Sequence, residues 1–338
     1  MSRSRARDAR RSAPSPAIVP QTTVGPGQER VLVTGGAGFV GSQLVAKLSA
    51  DGQDVVVLTR RRERARHLLL LPTVRVVEGD PHDPATLARW AKSATAAVNL
   101  IGVLHEHGRD TFERVHVEFP RALVTACRNA GVSRILHMSA LAASADAASA
   151  YLRSKAAGEA IVAESGLDWT IFRPSVMFGR GDSFLSLFAR LAQMFPVIPL
   201  ACANARFQPV FVGDVASCIA RALVDDETIG ERYSLCGPKT YTLEELVSYV
   251  AQTSGHPRPI VPLGPGLANL QARVMELLPG PLLTRDNLAS MQHDSVCEGP
   301  FPRAFDLTPT PLEAVAPEYL APIALKSRFD TFRANSGR

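Results

Sequence analysis

No stretch of the 338-residue chain comes near the ~18 consecutive apolar residues that a membrane span needs. The four leucines Leu68–Leu71 stop at Pro72 and read as core. Cysteine is scarce: Cys127, Cys202, Cys218, Cys236 and Cys297 are odd in number and widely spaced. With no C-x-x-C pair and no Cys/His cluster, neither a disulfide framework nor a zinc site is expected, and reduced thiols in a cytoplasm are the default. His105 and His107 have only Glu106 between them as a further ligand type, so no metal is expected there either. Surplus charge is also missing from the body of the chain. Of the net +5, residues 1–12 supply +4 through Arg3, Arg5, Arg7, Arg10 and Arg11 against Asp8. The near-neutral remainder gives no basic surface for nucleic acid. No internal repeat is present.

Residues 1–28, rich in Arg and then in Pro, Ser, Thr and Gly, read as a disordered basic tail, and 323–338 as a flexible C-terminus. An Arg-rich, acid-poor start also fits an organelle transit peptide, but it shows no amphipathic face, so a solvated tail is the preferred reading.

Between these ends the chain is 46% hydrophobic, enough for a sizeable core. Short β-branched runs alternate with helical stretches, the pattern of a parallel sheet covered by helices. Strands are expected at Arg30–Thr34, Asp54–Thr59, Val74–Glu78, Ala96–Ile101, Arg134–Met138 and Asp168–Phe172. Helices are expected over Gly38–Asp51 and Val117–Ala130, with a further one beginning near Tyr151. The fold class is therefore α/β, a Rossmann-type doubly wound sheet at 29–175 with a smaller substrate-side region at 176–322. That region should hold helices at Phe184–Phe195 and Asp214–Val224, the latter N-capped by Asp214 and returning to the first domain as part of 214–225. Short strands at Gln208–Val212 and Tyr233–Leu235 are expected, then a Thr242/Glu245 capping box and helical pieces near 266–278 and 311–320.

The strongest local signal is Thr34-Gly35-Gly36-Ala37-Gly38-Phe39-Val40-Gly41, between the first strand and first helix. Glycines here allow a tight turn, close approach of backbone to a pyrophosphate, and close helix–strand packing. The helix N-terminus then offers free N–H groups and a positive dipole end to the phosphates. About twenty residues on, an NAD site would carry an acid for the ribose 2′-hydroxyl. This chain instead reads Thr59-Arg60-Arg61-Arg62, with no acid before Glu63. Guanidinium pairs bidentately with a 2′-phosphate, so NADP(H) is preferred to NAD(H), with Arg60 and Arg61 as ligands. Asp80, after the third strand, reads equally as a ligand of the adenine amino group or as a turn before Pro81.

Tyr151 and Lys155 form Y-x-x-x-K, four apart on one helix face. A lysine cation lowers a neighbouring phenol's pKa, so that the phenol can exchange a proton with a substrate oxygen near neutral pH. The lysine can also hold the nicotinamide ribose. Ser139, at the end of the fifth strand, would anchor the substrate oxygen. Arg173 and Pro174 end the sixth strand near the expected nicotinamide, where the carbonyls of Pro174 and Ser175 or the side chain of Met177 read equally as shaping the pocket or as structural. Phe184, Leu187, Phe188, Leu191 and Phe195 fit a helical apolar face, read first as core or lid packing. With Met177 and Phe178 they could also line a channel for a prenylated substrate.

TGGAGFVG, NLIG (Asn99–Gly102), HMSA (137–140), YLRSK with Gly158-Glu159, and DWTIFRPSVMFGRGD (168–182) together resemble the atypical short-chain dehydrogenase/reductases of NAD-dependent epimerase/dehydratase type. PVFVGDVA (209–216) and LLTRDNL (282–288) extend the likeness to roughly 29–322. The FRPSVMFGRGD segment followed by LLTRDNL points to the subgroup that includes the nucleotide-binding accessory subunit (alpha subcomplex subunit 9) of respiratory complex I and its bacterial relatives. The resemblance implies bound NADPH, with Gly35, Gly38, Gly41 and Arg60 at cofactor positions; Phe39, Val40, Leu100, Ile101, Gly102, Lys155 and Pro174 are further expected cofactor contacts. It places Ser139, Tyr151 and Lys155 at the catalytic ones. Ala140 and Leu141 follow Ser139 where many relatives continue with serine, the gap before Tyr151 is short, and His116 stands where asparagine is frequent. These departures weaken any transfer of a sugar substrate.

Three readings stay open: an NADPH-dependent oxidoreductase, a non-catalytic NADPH-binding accessory or assembly factor for complex I or ubiquinone biosynthesis, and a sugar-nucleotide epimerase or dehydratase. For the last, Arg180 and Arg206 are the only obvious phosphate contacts. The expected partners are a small apolar or prenylated substrate and, peripherally, membrane respiratory or quinone-biosynthetic complexes. The expected location is the bacterial cytoplasm or the face of the inner membrane, with the mitochondrial matrix as the alternative.

Overall fold

The computed structural model describes residues 30–276 and 283–321. The expected tails at 1–28 and 323–338, and Leu282 of the LLTRDNL stretch, lie outside the described residues. The chain begins with β1 (Arg30–Thr34), α1 (Phe39–Ala50), β2 (Asp54–Thr59), β3 (Val74–Glu78), α2 (Pro84–Ala91) and β4 (Ala96–Asn99). It continues through α3 (Phe119–Ala130), β5 (Arg134–Met138), α4 (Ala150–Ala163) and β6 (Asp168–Pro174). The later half holds β7 (Met177–Phe178), α5 (Phe184–Met194), β8 (Ile198–Leu200), β9 (Arg206–Phe207), β10 (Val210–Phe211) and α6 (Val212–Ala222). After these come β11 (Glu231–Leu235), β12 (Tyr241–Thr242), α7 (Leu243–Thr253), β13 (Ile260–Pro262), α8 (Pro265–Met275) and α9 (Arg285–Ser290), with a last helix, α10, over 312–321.

Seven of the strands form one parallel sheet in the order β3-β2-β1-β4-β5-β6-β11. The order reverses between β1 and β4, and a crevice for a ligand forms outside the carboxyl ends at such a switch point. Val31, Leu32, Val33, Val55–Leu58 and Ala96–Val98 are all buried, as continuous apolar strands covered on both faces must be. Leu44, Val45 and Leu48 of α1 share one core with Val215, Ala216 and Ile219 of α6. Around α5 and α7 a second core joins Phe178, Leu185 and Phe188 to Leu246, Val250, Leu312 and Ala316.

Strand positions agree with expectation to within two residues, and the differences have local causes. β4 stops at Asn99 because the Asn99 side chain turns back to accept the Ile101 N–H. Helix α3 is preceded by a π-helical turn at Glu113–Glu118. Asp214 is not an N-cap: α6 starts at Val212, and the Asp214 carboxylate instead accepts the N–H and hydroxyl of Thr310. Of the four leucines Leu68–Leu71, only Leu68 is fully buried; Leu70 is 88% exposed, so the run is an edge of the core rather than its interior.

One expectation about cysteine is overturned: Cys236 and Cys297 form a disulfide across 61 residues of sequence. No short-range spacing announces it. The sheet carries Cys236 to the end of β11, and the Gln208 side-chain carbonyl holds the Cys297 backbone N–H beside it. Cys127, Cys202 and Cys218 are free thiols.

Candidate functional site

The glycine loop makes its turn at the carboxyl end of β1. Gly35 has φ +77°, and a Cβ there would lie 2.7 Å from the Leu100 carbonyl carbon, so the loop presses on the backbone after β4. A Cβ on Gly41 would overlap the Gly35 carbonyl oxygen, so the first turn of α1 packs directly on the loop. Gly38 caps α1 without any side-chain bond, and no acid lies in the first turn. No side chain competes for these first-turn N–H groups, which fits a pyrophosphate. Phe39 and Val40 are partly buried beside it, as are Leu100 and Ile101, while Gly102 lies open. The cradle is sized for backbone contact, and the residues fit a dinucleotide.

At the end of β2, Arg61 is exposed and its N–H meets the Thr59 hydroxyl. Arg60 is engaged: it donates from Nη1 and Nη2 to both oxygens of Asp110, each at 2.9 Å. The pairing raises the pKa of Arg60 and lowers that of Asp110. Asp80 accepts the His82 N–H in a turn. Its charge also acts on Arg60, which leaves its alternative reading as an adenine ligand untouched.

The catalytic candidates gather around α4. Lys155 is buried and donates from Nζ to the Met138 carbonyl at 2.7 Å. Burial pushes its pKa down to about 8, with Glu159 opposing the shift. Ser139, one residue further, is 4% exposed, and its hydroxyl has no partner among the described residues. Tyr151 is partly buried, with the rings of His116 and Phe112 edge-on to it at 5.6 and 5.9 Å. Burial raises the phenol to about 12, and no lysine charge offsets it. The Lys155 ammonium, which the spacing expects to lower the phenol, is turned instead to the Met138 carbonyl.

His116, placed where asparagine is frequent, is built in as a hydrogen-bonding node. Its Nε2 accepts the Val103 N–H at 3.1 Å, and its Nδ1 meets the Ser154 hydroxyl at 2.8 Å. Burial, with Lys155 nearby, drops its pKa to about 3, so it stays neutral. His137, bonded to Asn99 at 3.1 Å, is likewise held well below the usual histidine range by burial. Glu159 and Arg173, which the motifs place apart, meet in an ion pair with contacts of 2.5 to 3.1 Å, the carboxylate buried and the guanidinium half-buried. Arg173 therefore ties β6 to the helix of Tyr151 and does not reach for a ligand. The Pro174 carbonyl accepts the Leu141 N–H at 3.1 Å.

The sequence reading did not single out Asp110 or Phe112, and it gave Asp286 no role inside LLTRDNL. The Asp286 carboxylate accepts the Ser149 hydroxyl at 2.8 Å and the Ala150 N–H at 2.6 Å, capping α4 from α9. His105 lies close enough for Asp286 to raise its pKa against a larger lowering by burial, and its Nδ1 has no partner among the described residues. In the later half of the chain Phe188 is buried, while Phe184, Met177 and Leu191 are half-buried, with Phe184 5.3 Å from Phe188 and 5.7 Å from Phe207. Phe195, at 47% exposure, is not part of that core. Among the described residues no helix is long and apolar enough to cross a membrane.

Comparison with known proteins accords with this arrangement. The chain is 34% identical over 297 residues to NADH dehydrogenase (ubiquinone) 1 alpha subcomplex subunit 9, mitochondrial, of Rattus norvegicus, covering 85% of this chain and 78% of the relative. It is 36% identical over 188 residues to a ceramide reductase of Caulobacter vibrioides, covering 55% of this chain and 58% of that one. Among solved structures, the dTDP-glucose 4,6-dehydratase DesIV of Streptomyces venezuelae, with NAD and TYD bound, superposes with a TM-score of 0.60. It shares 26% identity over 70% of this chain and 85% of its own. Residues 31–236 match the family as a whole, and the chain belongs to the NAD dependent epimerase/dehydratase family, with its NAD(P)-binding Rossmann fold.

Proposed function

We propose that the protein is an NADPH-dependent oxidoreductase acting on a carbonyl/hydroxyl or quinone-related substrate of apolar character. Ser139 carries the reading: its buried hydroxyl has no partner among the described residues and stands beside the carbonyl that holds Lys155. A buried polar group left unpaired costs about 1–3 kcal/mol, and a substrate oxygen would meet that need. A bound nicotinamide dinucleotide supplies the hydride. Ser139 orients the substrate oxygen, Tyr151 exchanges a proton with it, and Lys155 holds the nicotinamide ribose. Arg60, with no acid at the end of β2, supports NADPH over NADH. The aromatic cluster of Phe184, Phe188 and Phe207 supports an apolar substrate, and the name of the Caulobacter relative supports a reductive direction.

A second reading is a non-catalytic NADPH-binding accessory or assembly factor, associated with a membrane respiratory or quinone-biosynthetic complex. The Tyr151 phenol near 12, and the complex I name of the rat relative, favour it. A sugar-nucleotide substrate has less support, since Arg206 already lies 3.8 Å from Asp294. NADPH oxidation measured against a panel of quinones, enones and ketones separates the first two readings. The enzyme reading expects turnover that Tyr151→Phe cuts at least a hundredfold with NADPH affinity kept. No turnover, together with an unchanged cellular phenotype for Tyr151→Phe, would leave the accessory reading standing.

A further inference from the structure

We propose that Asp110 sets cofactor preference by competing with the cofactor's 2′-phosphate for Arg60; this rests on the reading of Arg60 as the 2′-phosphate ligand.

Topology supplies the first part of the case. Arg60 follows β2, Asp110 lies in the connection after β4, and β1 runs between those two strands. The ion pair therefore arches over the carboxyl end of β1, where the glycine loop turns. Geometry supplies the second. Both terminal nitrogens of Arg60 are spent on Asp110, one on each carboxylate oxygen, in the fork that guanidinium would otherwise offer to a phosphate. Asp110 is held in place for this by its own backbone: its N–H and carbonyl pair with those of His107 at 3.0 and 3.1 Å, in a tight turn with Gly108 at φ +57°. His82 and Arg114 are the other charged or titratable groups that feel its carboxylate.

A carboxylate and a phosphate dianion cannot share one guanidinium face without repulsion, so the two alternate as partners. NADH, with a bare 2′-hydroxyl, can bind while the pair stays closed. NADPH gains the end-on fork of Arg60 only by displacing Asp110, which leaves it the side edge alone while the pair is closed, so the pair narrows a preference that Arg60 alone would make wide.

The test is fluorescence titration of the whole protein with NADPH and with NADH. Asp110→Asn keeps the backbone turn and side-chain size while removing the charge. It is expected to tighten NADPH three- to tenfold and to change NADH less than twofold, and in an Arg60→Ala background the same substitution should do nothing. Asp110→Ser serves as a second variant, with melting curves to confirm that both fold. If NADPH affinity is unchanged or falls in both Asp110 variants while Arg60→Ala selectively loses NADPH, the competition is refuted and the 2′-phosphate reading survives. If Arg60→Ala weakens NADPH and NADH equally, the 2′-phosphate reading itself fails and takes the proposal with it.

Discussion

Asp286 and Tyr151 stand 135 residues apart in the chain, yet the Asp286 carboxylate accepts the Tyr151 backbone N–H at 3.2 Å. The same carboxylate takes the Ala150 N–H and the Ser149 hydroxyl, and Ser290 reaches Ser149 at 2.8 Å from the next turn of α9. An anion at a helix N-terminus satisfies orphan N–H groups and meets the positive end of the dipole. Here that helix carries both Tyr151 and Lys155. A segment late in the chain thus fixes the start of the helix on which the proposed chemistry depends.

Removing that carboxylate should cost about 1–2 kcal/mol, as for a lost helix cap. Asp286→Ala is expected to lower the melting temperature by a few degrees and to cut kcat more than it changes the affinity for NADPH. Asp286→Asn, which keeps one acceptor oxygen, should recover part of both. Wild-type melting and wild-type turnover in Asp286→Ala together would show the cap to be idle.

Acid should destabilise the fold through its buried neutral imidazoles. His116 titrates near 3 when folded but near the ordinary 6.5 when unfolded, so below pH 6.5 the unfolded chain takes up a proton that the folded one refuses. Stability attributable to His116 is present above pH 6.5 and is lost as pH falls, by roughly 2 kcal/mol by pH 5. His137 adds to the loss in the same direction. Melting curves between pH 5 and 8 should show a slope that His116→Asn reduces. An unaltered slope in that variant would place the acid sensitivity elsewhere.

The disulfide gives a prediction with a thiol count attached. Closing a loop of about 61 residues restricts the unfolded chain by up to about 4 kcal/mol on the chain-entropy model. Non-reducing denaturation should expose three reactive thiols, from Cys127, Cys202 and Cys218, and the reductant-treated protein five. Cys297→Ser should melt roughly 5–10 °C lower than the oxidised wild type. Five thiols without reductant would mean the bond does not form in solution.

What was legible in the sequence divides along a physical line. Arg30–Thr34, Asp54–Thr59 and Arg134–Met138 are continuous apolar runs between turn residues, and burial on both faces leaves such runs few alternatives. The glycine loop was legible because its constraint is local: only glycine fits at positions 35 and 41. Asp110, Asp286 and the Cys236–Cys297 pair were not, because each acquires its role from a partner that only the folded sheet delivers. Asp286 lay inside a stretch singled out for family likeness, but a lone aspartate announces no particular helix to cap. His116 was marked as a departure from relatives, and its bonds to Val103 and Ser154 give that departure a structural content. For Tyr151 and Lys155 the spacing gives a shared helix face but not the contact that holds the ammonium. The contact that orders the ammonium is a carbonyl on β5, which no helix-face argument contains.

Lys155 itself yields the last prediction. Its ammonium is buried, so the charged form is penalised and its pKa falls from 10.5 to about 8, in spite of Glu159. Two consequences have opposite signs. Folding should gain stability as pH rises from about 8 toward 10.5, because there the unfolded chain still carries the proton that the folded one has shed. Cofactor binding should lose strength over the same range if the ammonium is the ribose ligand, since the neutral amine offers a weaker donor. NADPH titrations from pH 6.5 to 9.5 are expected to show a dissociation constant that is flat below about 8 and climbs above it, at most tenfold per pH unit. Lys155→Arg, whose guanidinium keeps its proton throughout, should bind more weakly at pH 7 because the fork does not fit the lysine's space, yet show no break near 8. If wild type and Lys155→Arg weaken in parallel above pH 8, the titrating group is another residue and Lys155 is not the ribose ligand.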